Sequence, residues 1–169
     1  MHGVHGQSLA SVIDDVQQVI TLGTPHVSTY QLTVEPGTRF GARADRGERV
    51  VLDEAHLETM YQSIEASVSR LGLVHYEISN AARPGYESKH NLGYWLGRPY
   101  MGLGPGAHGF YPQGAEMVRY SNRSGLEDYL TAMGHPVPLA HLVDSLETLE
   151  LEACMEDLLL TGLRLKKGI

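Results

Sequence analysis

The 169-residue sequence predicts an α/β protein, and three observations lead to that fold class. Two segments have the three-and-four apolar spacing of amphipathic helices, and two others alternate in the manner of strands. The four segments follow one another as helix, strand, helix, strand, with short connections between them. Units of this kind predict parallel strands, because the intervening helix provides the crossover that parallel pairing requires.

The first helix is predicted over 8–22, with Ser8 as its N-cap and Gly23 as its stop. The first strand follows over 26–34, where β-branched residues alternate with polar ones. A polar connector containing several arginines is predicted from there to residue 51.

The second helix is predicted over 53–71, with Asp53 at its N-cap and Gly72 as its stop. The second strand is predicted over 73–79, again from alternation. Beyond Asn80 the regular patterns weaken. A short helix that ends near Met133 and a longer helix over 146–165 are predicted in the remainder of the chain.

Composition excludes several classes of protein. The chain is 42% hydrophobic and 20% charged, its formal net charge is -7, and it has one cysteine. The acidic balance argues against a nucleic-acid partner. No apolar run approaches the roughly 18 to 20 residues of a transmembrane segment, and residues 1–9 lack the pattern of a signal peptide, so a cytoplasmic location is expected. Cys154 alone cannot build a disulfide framework or an iron–sulfur site.

The densest group of chemically capable residues lies between His75 and His108. A neutral imidazole at His90 could ligate iron, and Tyr94 and Trp95 offer flat apolar area for a planar ligand. The alternative is that the two aromatic residues belong to the core and that His90 anchors a loop by hydrogen bonding. Residue types alone favour that alternative.

Four glycines lie within residues 100–109, which indicates either positive φ angles or a close approach of the backbone to another group. The run Gly102-Leu103-Gly104-Pro105-Gly106 is not a dinucleotide-binding fingerprint, because it lacks the GxGxxG spacing. The group approached could be adenosyl or tetrapyrrole, or the run could simply be a tight strand end. Cys154 lies between apolar neighbours and is interpreted as an inert thiol.

Five short motifs, taken in order, resemble one family. They are TVEPGT at 33–38, HYEISN at 75–80, ARPG at 82–85, HNLGYW at 90–95 and GLGPGAH at 102–108. Over essentially its whole length the chain resembles the radical S-adenosylmethionine (SAM) family of oxygen-independent coproporphyrinogen III oxidase-like proteins. The HNLGYW motif is similar to that of the haem chaperone (HemW-like) branch.

The resemblance implies a fold and a set of site residues. It implies the C-terminal part of a partial TIM-type (β/α) radical SAM barrel over 1–112, followed over 113–169 by a linker and the start of a small, truncated α-helical domain. Haem would be bound by His90, Asn91, Tyr94 and Trp95, with His90 as the ligand of the haem iron. The wall of the SAM pocket would include Gly104, Gly106, Ala107 and His108.

The same resemblance implies SAM and a 4Fe–4S cluster as cofactors of the family, but the cysteine loop that holds the cluster has no counterpart in this sequence. We therefore expect no cluster in this chain, no catalytic residues, and no activity of the chain alone. The expected function is that of a fragment of a haem chaperone, which binds haem and transfers it to haem-accepting apo-proteins. Its structural partner would be the missing N-terminal half of the barrel. The alternatives are an oxygen-independent coproporphyrinogen III oxidase of porphyrin biosynthesis, or a non-functional gene remnant.

Overall fold

The computed structural model describes residues 1–136 and 141–168. The chain divides into two compact parts, Met1–Glu87 and Ser88–Ile169, which we call unit 1 and unit 2. The predicted domain boundary after residue 112 follows the barrel of the resembled family and stays a prediction.

Unit 1 contains three helices and three short strands. They are α1 (Leu9–Thr21), β1 (His26–Ser28), α2 (Arg39–Asp45), α3 (Glu54–Arg70), β2 (Val74–His75) and β3 (Asn80–Ala82). Both long helices begin where the sequence predicts. The Ser8 hydroxyl accepts a hydrogen bond from the Ser11 amide at 3.1 Å, and the Asp53 carboxylate accepts one from the His56 amide at 3.1 Å.

The core of unit 1 forms where α1 and α3 face the small sheet. The buried cluster combines the predicted apolar stripes of the two helices with three residues that follow them in the chain, and its members are Val12, Val16, Ile20, Val27, Met60, Ile64, Val68, Leu73 and Ala81. Since the helix residues of this cluster recur at intervals of three and four, the periodicity of the sequence predicts this part of the fold.

The strands of unit 1 pair differently from the prediction. The sheet order is β1-β3-β2, and β3 runs antiparallel to both neighbours. The predicted direct parallel pairing of β1 with β2 is therefore wrong. Residues 73–79 do not form one strand, because the chain turns back after β2 and the Tyr76 amide donates to the Asn80 carbonyl at 3.2 Å.

The predicted connector between the first strand and the second helix contains the short helix α2. The Thr38 hydroxyl accepts a hydrogen bond from the Gly41 amide at 3.0 Å, which caps the helix. A side chain at Gly41 would place its Cβ 2.5 Å from the Glu35 carbonyl oxygen, so the turn needs glycine. A seven-residue helix is too short to show a clear apolar period.

The described residues of unit 2 form helices and an antiparallel sheet. They are α4 (Lys89–Trp95), β4 (His108–Gln113), β5 (Glu116–Asn122), α5 (Leu126–Met133), β6 (Val143–Leu149) and α6 (Leu151–Gly162), and the sheet order is β4-β5-β6. The predicted short helix is confirmed as α5. The predicted helix over 146–165 is wrong for its first four residues, which lie in β6. None of the helices in the described ranges is long and apolar enough to cross a bilayer.

Candidate functional site

The four residues predicted to bind haem all lie on the short helix α4. The Ser88 hydroxyl caps this helix by accepting a hydrogen bond from the Asn91 amide at 3.3 Å. The cap gives His90, Asn91, Tyr94 and Trp95 a fixed backbone. Sequence reasoning found these residues by their motif but missed the helix that carries them.

His90 is exposed, and its imidazole packs against the Tyr94 ring. The two ring centroids are 4.7 Å apart in a T-shaped arrangement with an interplanar angle of 78°. The contact follows from the spacing, because residues four apart on a helix lie on the same face. No hydrogen bond of this imidazole is found among the described residues, and the role of His90 stays a prediction.

Tyr94 is the first member of an aromatic series. Its ring centroid is 4.5 Å from that of Tyr100, again in a T-shaped arrangement, and Tyr100 lies 6.2 Å from Phe110. Burial raises the pKa of the Tyr100 hydroxyl, with a smaller contribution from Tyr94. Sequence reasoning missed Tyr100 and Phe110, since only the fold brings β4 to α4.

The Trp95 side chain is half-buried, and the positively charged side chain of Arg164 packs over its ring. The guanidinium carbon of Arg164 lies 4.3 Å from the centre of the indole ring, a cation–π contact that fixes the C-terminal end of α4. The indole N–H is buried and has no hydrogen-bond partner in the part of the chain that the structure describes. Arg164 was not predicted, because it stands 69 positions after Trp95 in the numbering.

A cavity of about 510 Å³ opens beside these aromatic residues, within unit 2. It brings two of the predicted haem-binding residues, Tyr94 and Trp95, together with His108 from the predicted SAM wall. Arg119 and Asp157, which form an ion pair, also line it. The volume is typical of a small-molecule pocket. His90, Asn91, Gly104, Gly106 and Ala107 are not among the lining residues.

The glycine run has both of the properties that its composition predicts. Gly104 and Gly106 have φ angles of 103° and 68°, which favour glycine. A side chain at Gly102 would collide with the backbone of His108, and one at Gly109 would collide with the Tyr120 ring. The close neighbours of these two glycines are therefore parts of the same chain, as in a tight strand end.

Side-chain hydrogen bonds hold this loop in place. The Asn122 amide nitrogen donates to the carbonyl oxygens of Gly102 and Gly104, at 3.2 and 2.9 Å. The Tyr120 hydroxyl accepts from the Gly102 amide at 3.0 Å. These hydrogen bonds tie the loop to β5, and the assignment of Gly104, Gly106, Ala107 and His108 to a SAM pocket stays a prediction.

The chain's own residues do not fit a four-iron cluster. Such clusters are held by several cysteine thiolates, and Cys154, half-buried on α6, is the single cysteine of the sequence. Within the described ranges, no three His, Cys, Asp or Glu side chains are grouped closely enough to hold a metal ion. A haem iron differs from a free ion, because the porphyrin supplies four ligands and the protein needs to supply only one.

Comparisons with known proteins identify relatives over the whole chain. The haem chaperone HemW of Mycobacterium tuberculosis is 35% identical over 170 residues, which cover 100% of this chain and 42% of that protein. The protein of the same name from Lactococcus lactis is 34% identical over 169 residues, with the same two coverages. That of Escherichia coli is 42% identical over 109 residues. The chain spans about two fifths of the length of the relatives it matches end to end. No family model matches it.

One solved structure resembles the fold. It is the Escherichia coli coproporphyrinogen III oxidase HemN, described as a radical SAM enzyme, and it is 14% identical with a TM-score of 0.70. The match covers 97% of this chain and 39% of the enzyme. It confirms the predicted α/β fold class as part of a radical SAM fold.

Proposed function

We propose that the chain belongs to the radical SAM family of coproporphyrinogen III oxidase-like proteins, in its haem chaperone branch, and that it binds haem at α4 and passes it to acceptor apo-proteins. One observation carries the proposal. The exposed imidazole of His90 lies in the first turn of α4 and packs against the Tyr94 ring, and no hydrogen bond of this imidazole is found among the described residues.

The chemistry of this arrangement suits reversible ligation. A neutral imidazole uses the lone pair of one ring nitrogen to ligate iron, while the other nitrogen carries the proton. The edge-to-face contact with Tyr94 restricts the rotation of the ring, so less side-chain entropy is lost when the iron binds. Since His90 is exposed, haem can arrive and leave without opening a core, as transfer to another protein requires.

Haem titration of the purified chain tests the proposal. We expect the Soret band to shift on binding and the shift to be lost in His90→Ala, because the iron then lacks its protein ligand. His5→Ala is the matched control, since His5 is also exposed but lies in unit 1. A parent chain that leaves the haem spectrum unchanged, or a His90→Ala variant that retains the parent spectrum, would overturn the proposal.

The oxidase alternative requires a cluster that this chain's residues do not fit. An anaerobic assay with reductant and SAM is therefore expected to give no 5′-deoxyadenosine from this chain. Production of that compound would restore the alternative. The haem-accepting proteins, the N-terminal half of the barrel as partner, the SAM wall and the cytoplasmic location stay predictions.

A further inference from the structure

We propose that Lys89 and Arg98 bind the carboxylates of the tetrapyrrole whose iron His90 ligates, so that the site selects a planar ligand with free acid groups. This inference rests on the proposed function, and it adds the carboxylate groups of the ligand to the iron as features that the chain recognises.

The face of α4 that carries His90 has a glycine beside the imidazole. Gly93 and Tyr94 stand three and four positions after His90, so they share its side of the helix. The Tyr94 ring packs against the imidazole on this face, whereas the half-buried Gly93 has no side chain. Apart from its chain neighbours and the helix backbone, a Cβ built at Gly93 would have only the Arg98 Cβ within 4 Å, at 4.0 Å. A flat ligand on the imidazole can therefore extend past Gly93, about 4.5 Å further along the axis, without meeting a side chain of that residue.

The turn after α4 brings Arg98 back to Gly93. The Arg98 amide donates a hydrogen bond to the Gly93 carbonyl at 2.8 Å, and the Arg98 side chain therefore starts beside Gly93. Arg98 is exposed, as is Lys89, which directly precedes His90 in the first turn. One cation thus lies on each side of the imidazole along the helix.

Within the described ranges no ion pair with a carboxylate is found for Lys89 or Arg98, in contrast to Arg43, Arg46 and Arg119. The acidic groups nearest in sequence or lining the adjoining cavity are engaged elsewhere. Glu87 accepts a hydrogen bond from the Gly85 amide at 3.0 Å, and Asp157 pairs with Arg119. Two uncompensated cations at one short helix contrast with a chain whose net charge is -7.

The chemistry of haem matches this pattern. The macrocycle is flat and apolar, and two propionate carboxylates extend from one edge. Guanidinium groups bind carboxylates through paired N–H donors, and an ammonium group adds a point charge. With the iron on His90 and the propionate edge of the ring running along the helix axis, one propionate can approach Arg98 and the other can approach Lys89.

Comparison of haem with its dimethyl ester, in which both propionates are uncharged, tests the inference. We expect the parent chain to bind haem several-fold more tightly than the diester. Arg98→Gln and Lys89→Gln should each weaken haem binding by roughly 2- to 5-fold, as expected for exposed charge pairs, and leave diester binding unchanged. The preference for haem should shrink at high salt. Arg70→Gln, an exposed arginine at the end of α3, is the matched control and should change neither affinity.

The outcomes separate this inference from the proposed function. Equal affinities of the parent chain for the two ligands would overturn the carboxylate assignment, and so would an Arg98→Gln variant that weakens both ligands alike. In either case, a His90-dependent Soret shift with the diester would leave the proposed function intact. Absence of that shift with both ligands would overturn the proposed function itself.

Discussion

The two units of the chain use their apolar residues differently. In unit 1 the apolar faces of α1 and α3 converge on one cluster, in which Ile64 is 1% exposed. In unit 2 the described buried apolar side chains are few, namely Val118, Ala132, Leu142 and Leu149. The leucines of α6 are instead largely exposed, with Leu151 at 77% and Leu160 at 70%.

The difference bears on stability rather than on pocket volume. Both units contain unfilled volume, in unit 2 the cavity beside Tyr94 and Trp95 and in unit 1 one of about 530 Å³ beside Leu52 and Met60. The close-packed cluster distinguishes unit 1, because buried side chains in contact on all sides contribute most to the free energy of folding. We infer that unit 1 supplies most of the packing free energy of the chain.

The largest expected effect comes from breaking the core of unit 1. Ile64→Ala removes a fully buried side chain and should lower the free energy of unfolding by about 2–5 kcal/mol. Leu160→Ala, an exposed site on α6, should change it by no more than about 0.5 kcal/mol. Urea unfolding followed by far-UV circular dichroism measures both. Equal losses in the two variants would contradict the assignment of packing to unit 1.

The next effect concerns the glycine loop of unit 2. Gly109→Ala places a methyl group where the Tyr120 ring lies, and this ring also holds Gly102 through its hydroxyl. We expect a loss of about 1–3 kcal/mol from overpacking, together with a changed tyrosine signal in near-UV circular dichroism. Gly114→Ala has open space around the new methyl group and should leave the tyrosine signal unaltered. An unchanged signal in Gly109→Ala would show that the loop yields without moving Tyr120.

How much the sequence predicts also differs between the units. The helices α1 and α3 are long enough for several apolar repeats, so periodicity located both and most of the core of unit 1. The helices α2 and α4 have seven residues each and the strand β3 has three. Elements this short do not repeat an apolar pattern, so periodicity does not reveal them. The pairing of β1 with β3 was missed because it depends on a turn after β2 rather than on any strand pattern.

The candidate site was predictable only in part. The motif at 90–95 supplied His90, Asn91, Tyr94 and Trp95, but no spacing rule links them to residues that are distant in sequence. Phe110 of β4 joins the aromatic series because its backbone pairs with that of Tyr100, which contacts Tyr94. Arg164 reaches Trp95 because it follows α6. Long-range contacts of this kind follow from the tertiary fold and leave no local signal.

The contact between Arg164 and Trp95 offers a smaller test within unit 2. Arg164→Ala should cost about 0.5–2 kcal/mol and shift the fluorescence of Trp95, which is the single tryptophan of the chain. Arg164→Lys keeps the positive charge and should retain more of the stability than alanine does. If both variants leave the emission of Trp95 unchanged, the guanidinium does not contribute to holding α4.

The smallest expected effect is a difference between the units in their response to pH. Burial, aided by the positive charge of the nearby N-terminus, lowers the pKa of His2 in unit 1 below its ordinary value of 6.5. The unfolded chain then binds a proton more readily than the folded one, so stability is present above pH 6.5 and is lost as the pH falls through the lowered pKa. The raised pKa of Tyr100 in unit 2 acts in the opposite direction, because its contribution is present below its ordinary pKa of 10.0 and is lost as the pH rises through the raised value.

Unfolding curves at a series of pH values separate these two contributions. Between about pH 7 and 5, His2→Gln should lose less stability than the parent chain, with His5→Gln as the matched exposed control. Hydrogen bonds from Arg43 and from His56 lower the pKa values of the exposed Glu48 and Asp53 carboxylates, respectively. These carboxylates titrate below pH 5, so they do not contribute to the change in stability between pH 7 and 5. Tyr100→Phe should remove part of the loss above pH 10 and leave the acid side unchanged. An acid response that is identical in His2→Gln and the parent chain would mean that the buried imidazole is protonated as easily in the folded chain as in the unfolded one, and that the core of unit 1 is open to water at that point.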